Sequence, residues 1–312
     1  MPNIFANGVQ LEYETFGEPS SPALLLISGI GGQMIGWDEK LCKEWVKRGL
    51  YVIRFDNRDV GLSTKMEESG VPDLKAAMTA AVNGEKVKAP YTLADMADDA
   101  VGLLDALKID KAHICGISMG GAIAQTIAFR QPSRVRSMTQ VYATTGNPQL
   151  PQPKPEIMKI LLTPPPEGRE AYVDYQLKLY KTIAGPGFPF DEVWHRNLAG
   201  RSYDRAFYAL GKARQFMAIL AQGNRKPFLS SITAPALVIH GADDPLVLVQ
   251  GGMDSAEAIP GAELMIIPGM GHDMPHGSAW PLIVEAVVAH ARKADGLWRG
   301  ITPYPPNSSG KG

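Results

Sequence analysis

One stretch, Lys111–Gln125 (KAHICGISMGGAIAQ), limits what this chain can fold into more than any other. It opens with a short apolar run (Ala112, Ile114, Cys115, Ile117) that reads as a buried strand. It turns sharply through Gly116-Ile117-Ser118-Met119-Gly120 and continues as a small-residue helix over Gly121–Phe129, closed by Gln131-Pro132. Strand, glycine-flanked serine and helix together are the layout of a nucleophile elbow. The glycines have a steric reason: the serine sits on a strained turn, and a side chain two positions to either side would strike the neighbouring strand or helix. Such a turn holds the serine Oγ above the sheet edge, where backbone N–H groups at the helix start can stabilise negative charge. A glycine-flanked serine means little by itself in a chain with 32 glycines, so its weight comes from its position and its partners.

Those partners depend on the order of elements. Val9–Phe16 alternates apolar and polar residues after Asn7-Gly8 and reads as an exposed antiparallel edge strand. Ala23–Ile27 (ALLLI) and Tyr51–Phe55 are continuous apolar runs suited to strands covered on both faces. The helical spacing over Trp37–Arg48 ends at Gly49, and Thr92 is placed to cap a helix over Asp95–Leu107. Residues 65–90 read as a long loop with a short helix around Leu74–Val82. After the elbow, Val135–Tyr142 is a further strand, so the order is β-α-β-α-β-α-β, the signature of a parallel sheet with helices on both faces. At Gly146 the pattern changes to proline-rich stretches and helices, including Glu170–Ile183, Phe190–Ala199 and Tyr203–Ala221. Residues 146–224 therefore read as an inserted helical cap, with 1–145 and 225–295 as the core and 296–312 as a loose tail. Aromatic residues such as Tyr172, Tyr180, Trp194 and Phe216 set the insertion apart from a disordered linker and predict an apolar pocket wall. Strand–helix alternation resumes with Pro235–His240, Val249–Ala258, Glu263–Ile267 and Trp280–Arg292.

A serine nucleophile needs a base, and the base needs a group that holds its tautomer. The loops after the last two strands offer both, as Gly241-Ala242-Asp243-Asp244-Pro245 and Pro268-Gly269-Met270-Gly271-His272-Asp273. Loops at the carboxyl ends of parallel strands converge on one edge, where Ser118, an aspartate and His272 can meet. Of the six histidines, only His272 and His276 follow the acid without lying in the last helix, and the Gly-His pair directly after a strand favours His272. His272 and His276 do not form a metal pair on one helical face, since Pro275 lies between them and no third ligand is evident. The spacing alone leaves Asp243 and Asp244 both open.

These pieces resemble the α/β-hydrolase-fold serine esterases over nearly all of Val9–Arg292. The matching segments are SGIGG, DNRDVGLS, GISMGG, HGADDPLV and PGMGH. The chain is similar in particular to bacterial carboxylesterases and to methylesterases of aclacinomycin-type polyketides. The resemblance implies that the acid is Asp244, the last residue of a G-x-x-D pattern, with Asp243 a loop neighbour. The elbow supplies the Met119 N–H as one oxyanion donor, and the family's loop after the strand Ala23–Ile27 implies Ile30 as the second. Many relatives carry His-Gly where this chain has Ser28-Gly29, which changes how that loop is braced. Asp56 and Arg58 are expected to brace loops, and Ser63 lacks an elbow.

The expected activity is cofactor-free hydrolysis of short- to medium-chain or methyl carboxylic esters, with neither cofactor nor metal. A C–C bond hydrolase, lactonase or perhydrolase with the same triad, or a non-catalytic binding protein of this fold, are the alternatives. A dinucleotide-binding oxidoreductase fails because Met34 stands where G-x-G-x-x-G needs its last glycine. A net charge of −1 with no basic block gives no support to a nucleic-acid partner. The expected partner is a small-molecule ester. Cys42 and Cys115 lie far apart and read as buried small residues in a reducing compartment. The N-terminal MPNIFANGVQ lacks the pattern of a signal peptide, and no apolar run reaches the ~20 residues of a membrane span. These features predict a cytoplasmic protein.

Overall fold

A computed structural model describes residues 2–297; most of the expected tail lies outside the described residues. Eight strands form one sheet: β1 (Asn3–Ala6), β2 (Val9–Phe16), β3 (Ala23–Ile27), β4 (Tyr51–Phe55), β5 (Ala112–Ile117), β6 (Val135–Val141), β7 (Ala236–Gly241) and β8 (Glu263–Ile267). Their spatial order is β1-β2-β4-β3-β5-β6-β7-β8. From β4 to β8 every pairing is parallel, whereas β1 and β2 run antiparallel.

The edge differs from the sequence expectation. β2 is not an edge strand: it lies between β1 and β4, and β1 takes the edge. Asn7 and Gly8, both with positive φ (48° and 79°), form a two-residue hairpin that pairs Ala6 with Val9. Asn-Gly is the residue pair such a turn favours, so the signal for the hairpin and for β1 lies in the sequence itself.

The helices fall in order as α1 (Glu39–Val46), α2 (Leu74–Val82), α3 (Leu93–Ala106), α4 (Met119–Arg130), α5 (Pro155–Leu162), α6 (Arg169–Ile183), α7 (Glu192–Ala206), α8 (Ala209–Gln222), α9 (Lys226–Leu229), α10 (Val249–Ala258) and α11 (Trp280–Ala294). Thr92 caps α3 through a reciprocal box with Asp95. Strand β3 shows how the sheet is sandwiched. Leu25 and Ile27 join the apolar cluster formed with α3 and α4, while Leu24 and Leu26 join the cluster formed with α1 and α11. All five residues of β3 are buried, which is why its sequence (ALLLI) is continuously apolar instead of alternating. Between β6 and β7 the chain forms α5–α9 and no strand. The α7–α8 break falls at Phe207-Tyr208, later than the sequence spacing suggested. Among the described residues no helix is long and apolar enough to cross a membrane.

Candidate active site

Ser118 stands at the junction of β5 and α4 with φ 53° and ψ −119°, a conformation that non-glycine residues rarely adopt. Its N–H donates to Val141 O (3.0 Å), and its own carbonyl accepts from Gly121 and Ala122 of α4. The space around it is as tight as an elbow demands. A Cβ on Gly116 would lie 2.0 Å from Gly120 O, and one on Gly120 would lie 2.1 Å from Ile27 O. Neither obstacle is a side-chain tip that could swing aside, so glycine is required at both positions.

His272 comes from the loop after β8 and meets the serine there, with Nε2 3.0 Å from Ser118 Oγ. Its other ring nitrogen, Nδ1, lies 2.7 Å from Asp244 Oδ2 in the loop after β7. The second carboxylate oxygen of Asp244 accepts from the N–H groups of Leu246 (2.9 Å) and Val247 (2.8 Å), which fixes its orientation. Burial opposes the charge on Asp244. The imidazoles of His272 and His240 beside it outweigh that cost and hold its carboxyl down at about 2. An ionised carboxylate can only accept, so Nδ1 of His272 carries the proton and Nε2 is free to accept from Ser118 Oγ–H. Tyr142, also at positive φ (39°), packs its ring 4.6 Å from the imidazole.

Of the two aspartates the spacing left open, Asp243 is exposed and accepts from Gly269 N (2.9 Å), away from the histidine. His276 bonds Asp191 Oδ2 (2.8 Å) and stacks on Trp194, so it faces away from His272's partners. Cys115 is buried behind the serine, and burial pushes its thiol up to about 12, which leaves it a packing residue.

The loop after β3 approaches the serine closely enough that a Cβ on Gly29 would lie 3.3 Å from Ser118 Cβ. Among the described residues, neither the Ile30 nor the Met119 N–H donates to a protein acceptor. The loop is braced by DNRDVGLS. Asn57 donates to Ser28 O (3.2 Å), and Asp56 Oδ1 accepts from Met34 N (2.7 Å). Arg58 instead forms a buried two-pronged pair with Asp99 of α3. Ser63 Oγ donates to Asp56 O and is a structural group.

The same stretch also ties down the helices inserted between β6 and β7, which the sequence reading missed. Asp56 pairs with Arg205 (2.7 Å), and Asp59 with Arg214 of α8 at 2.9 and 3.0 Å. Gln215 accepts from Gly31 N (2.7 Å) and donates to Arg58 O (2.9 Å). The site opens into a cavity of about 200 Å³ lined by both core and insertion, including Ile30, Ser118, Tyr142, Trp194, Leu246 and His272.

Three polar residues in that lining also escaped the sequence reading, which expected an apolar wall. Asp273 is 8% exposed, one of its carboxylate oxygens has no partner, and burial pushes it up to about 6. His195 stacks on Phe190, its Nδ1 has no partner, and burial pushes it down to about 4. Lys212 is the third. Its signal was a charge set within the apolar face of α8, beside Ala213 and Phe216.

A strained serine between a strand and a helix, bonded to a histidine and a buried aspartate from later strand ends, is the layout of one large class of folds. Residues 22–277 match the family described as the alpha/beta hydrolase fold, and the chain belongs to that family. Among its relatives, the rhodomycin D methylesterase of Streptomyces peucetius is 28% identical over 312 residues, covering 92% of this chain and 96% of that protein. The 3-oxoadipate enol-lactonase 2 of Acinetobacter baylyi is 26% identical, covering 85% of this chain and 87% of the relative. The crystal structure of the enol-lactonase from Burkholderia xenovorans superposes with a TM-score of 0.67 at 22% identity, covering 93% of this chain and 99% of that one, a likeness of fold.

Proposed function

We propose that this protein is a serine carboxylesterase that cleaves short- to medium-chain or methyl carboxylic esters. The carrying observation is the continuous hydrogen-bond relay from Ser118 Oγ through His272 to Asp244. In this reading Ser118 Oγ attacks the ester carbonyl while His272 Nε2 takes its proton. Asp244 holds the imidazole and stabilises it when it becomes charged. The backbone N–H groups of Ile30 and Met119 receive the developing oxyanion, and His272 returns the proton to the departing alkoxide. Water, activated by the same histidine, then cleaves the acyl-enzyme. No step calls for a cofactor or a metal.

The methylesterase relative supports the ester as substrate. A lactone is an internal ester that the same relay would open, and the enol-lactonase relative makes lactone opening the second reading. The helices of residues 146–224 act as a cap over the site, supported by their share in its cavity wall. A cytoplasmic location fits the two unpaired, buried cysteines.

The test is turnover of p-nitrophenyl acetate and butyrate by the wild type beside Ser118→Ala. The variant is expected to lose roughly three to six orders of magnitude in kcat/KM. Retention of a tenth of wild-type activity would end the serine mechanism, and an inactive wild type would favour a binding protein.

A further inference from the structure

Lys212 occupies an unusual place for a lysine. It lies on α8 and lines the active-site cavity, and it also lines a second, apolar cavity of about 200 Å³ bounded by Leu161, Leu210 and Phe216. Ile30 borders both cavities, so Lys212 stands where they meet beside the loop that faces Ser118. Its stem lies against that loop, since a methyl group on Gly31 would come within 3.3 Å of Lys212 Cγ.

The head group has little to hold it. Among the described residues its one polar partner is the Tyr175 hydroxyl at 2.9 Å, and the ammonium lies 5.5 Å from the centre of that ring. Tyr175 spends its own proton on Thr163 O (2.8 Å), so it presents a neutral oxygen to the lysine. No carboxylate of the described residues forms an ion pair with Lys212, although most of the described arginines have one. Burial without a counter-charge pushes the ammonium down to about 8, which leaves it protonated at neutral pH.

A lysine with no task at such a place would extend its ammonium into bulk water. Turned inward and part-buried, it keeps a charge beside one neutral partner and leaves two of its three donors facing the cavity, which costs some of its solvation. An anion arriving with the substrate would relieve that cost.

We propose that Lys212 binds an ionised carboxylate on the substrate, remote from the scissile bond, so that the preferred substrates are half-esters or other carboxylate-bearing esters. This deepens the esterase reading and rests on it. The apolar second cavity would receive the hydrocarbon part next to that carboxylate.

The test compares isosteric esters that differ only in the remote group. Mono-p-nitrophenyl succinate, glutarate and adipate are set against p-nitrophenyl butyrate, valerate and hexanoate for an acyl-side carboxylate. Carboxylate-bearing phenyl acetates against their uncharged counterparts serve for the alcohol side. In one arm the ratio of kcat/KM for the charged over the neutral ester should fall by roughly 10- to 100-fold in Lys212→Met, the loss expected for a charge-assisted hydrogen bond. Lys212→Arg, which keeps the charge, should retain most of the ratio. Ratios unchanged in both arms, with neutral esters still cleaved, would overturn this inference and leave the esterase reading standing. Calorimetric binding of 4-phenylbutyrate and of its uncharged amide to Ser118→Ala decides the matter even if no ester is cleaved. The anion should bind at least about tenfold tighter, and that preference should vanish when Lys212→Met is added. A preference that survives the added substitution, or equal binding from the start, would overturn the assignment.

Discussion

At the scale of residues, neighbouring aspartates have been given opposite tasks by one peptide unit of offset. Asp244 is buried against two histidines and Asp243 faces solvent with a single loop amide. Asp244→Asn should therefore lower kcat by about 10³–10⁴, because an amide cannot hold the imidazole in the tautomer that accepts from serine. Asp243→Asn should stay within about threefold of wild type, as a loop substitution outside the relay. Reversal of the two costs in steady-state kinetics would reassign the acid. Asp273 makes a different kind of prediction. Its folded carboxyl holds its proton up to about pH 6, against an ordinary value of 3.8, so the folded state binds the extra proton between those limits. Stability must then fall as pH rises through that window, and the penalty is complete above pH 6. Asp273→Asn should be about 1–3 kcal/mol more stable than wild type at pH 7, with the gain gone near pH 4. Urea unfolding at the two pH values checks this, and a gain that persisted at pH 4 would refute it.

At the scale of elements, α8 is held to the core by Arg214, which is fully buried, grips Asp59 with two donors and also reaches Gly70 O. Arg214→Ala should cost about 3–5 kcal/mol, because it strands the Asp59 carboxylate in a dry place with only the Tyr91 hydroxyl and the Met66 amide. Arg214→Lys should recover part of the loss, since a single ammonium cannot reproduce the fork. A urea midpoint for Arg214→Ala equal to that of wild type would mean that α8 docks by other means. This element also marks where the sequence stops being readable. The core strands were legible because each is a short apolar run between turn residues. Ser118, His272 and the two candidate aspartates were legible because parallel strand ends bring their loops to one edge. Docking of α8 was not, since Arg214 and Asp59 are separated by more than a hundred positions and a buried arginine has the same local pattern as an exposed one. Lys212 left a fainter trace, a charge within an apolar stretch of α8, which does not say where its ammonium points. The α7–α8 break was hidden because both helices carry similar spacing across Phe207-Tyr208, with no glycine or proline to mark the end.

At the scale of the whole molecule, the core and the helices inserted between β6 and β7 together line a cavity of about 200 Å³, which bounds the room for a substrate. Each methylene that fills apolar space adds up to about 0.8 kcal/mol, until overpacking reverses the gain. For uncharged acyl chains, kcat/KM should climb from acetate to about butyrate or hexanoate and then fall. A series of p-nitrophenyl esters checks this, and faster turnover of palmitoyl than butyryl esters would require a long groove in place of a small cavity.

The bond from Gly31 N–H to Gln215 has a consequence of its own. The loop beside the nucleophile takes its support from two sources, Asp56 and Asn57 of the core and Gln215 of α8. A change at Gln215 would therefore be felt beside Ser118 although no atom of Gln215 belongs to the relay. Sequence drift in α8 is thus answerable to the chemistry at a distance, through one amide oxygen and one backbone N–H.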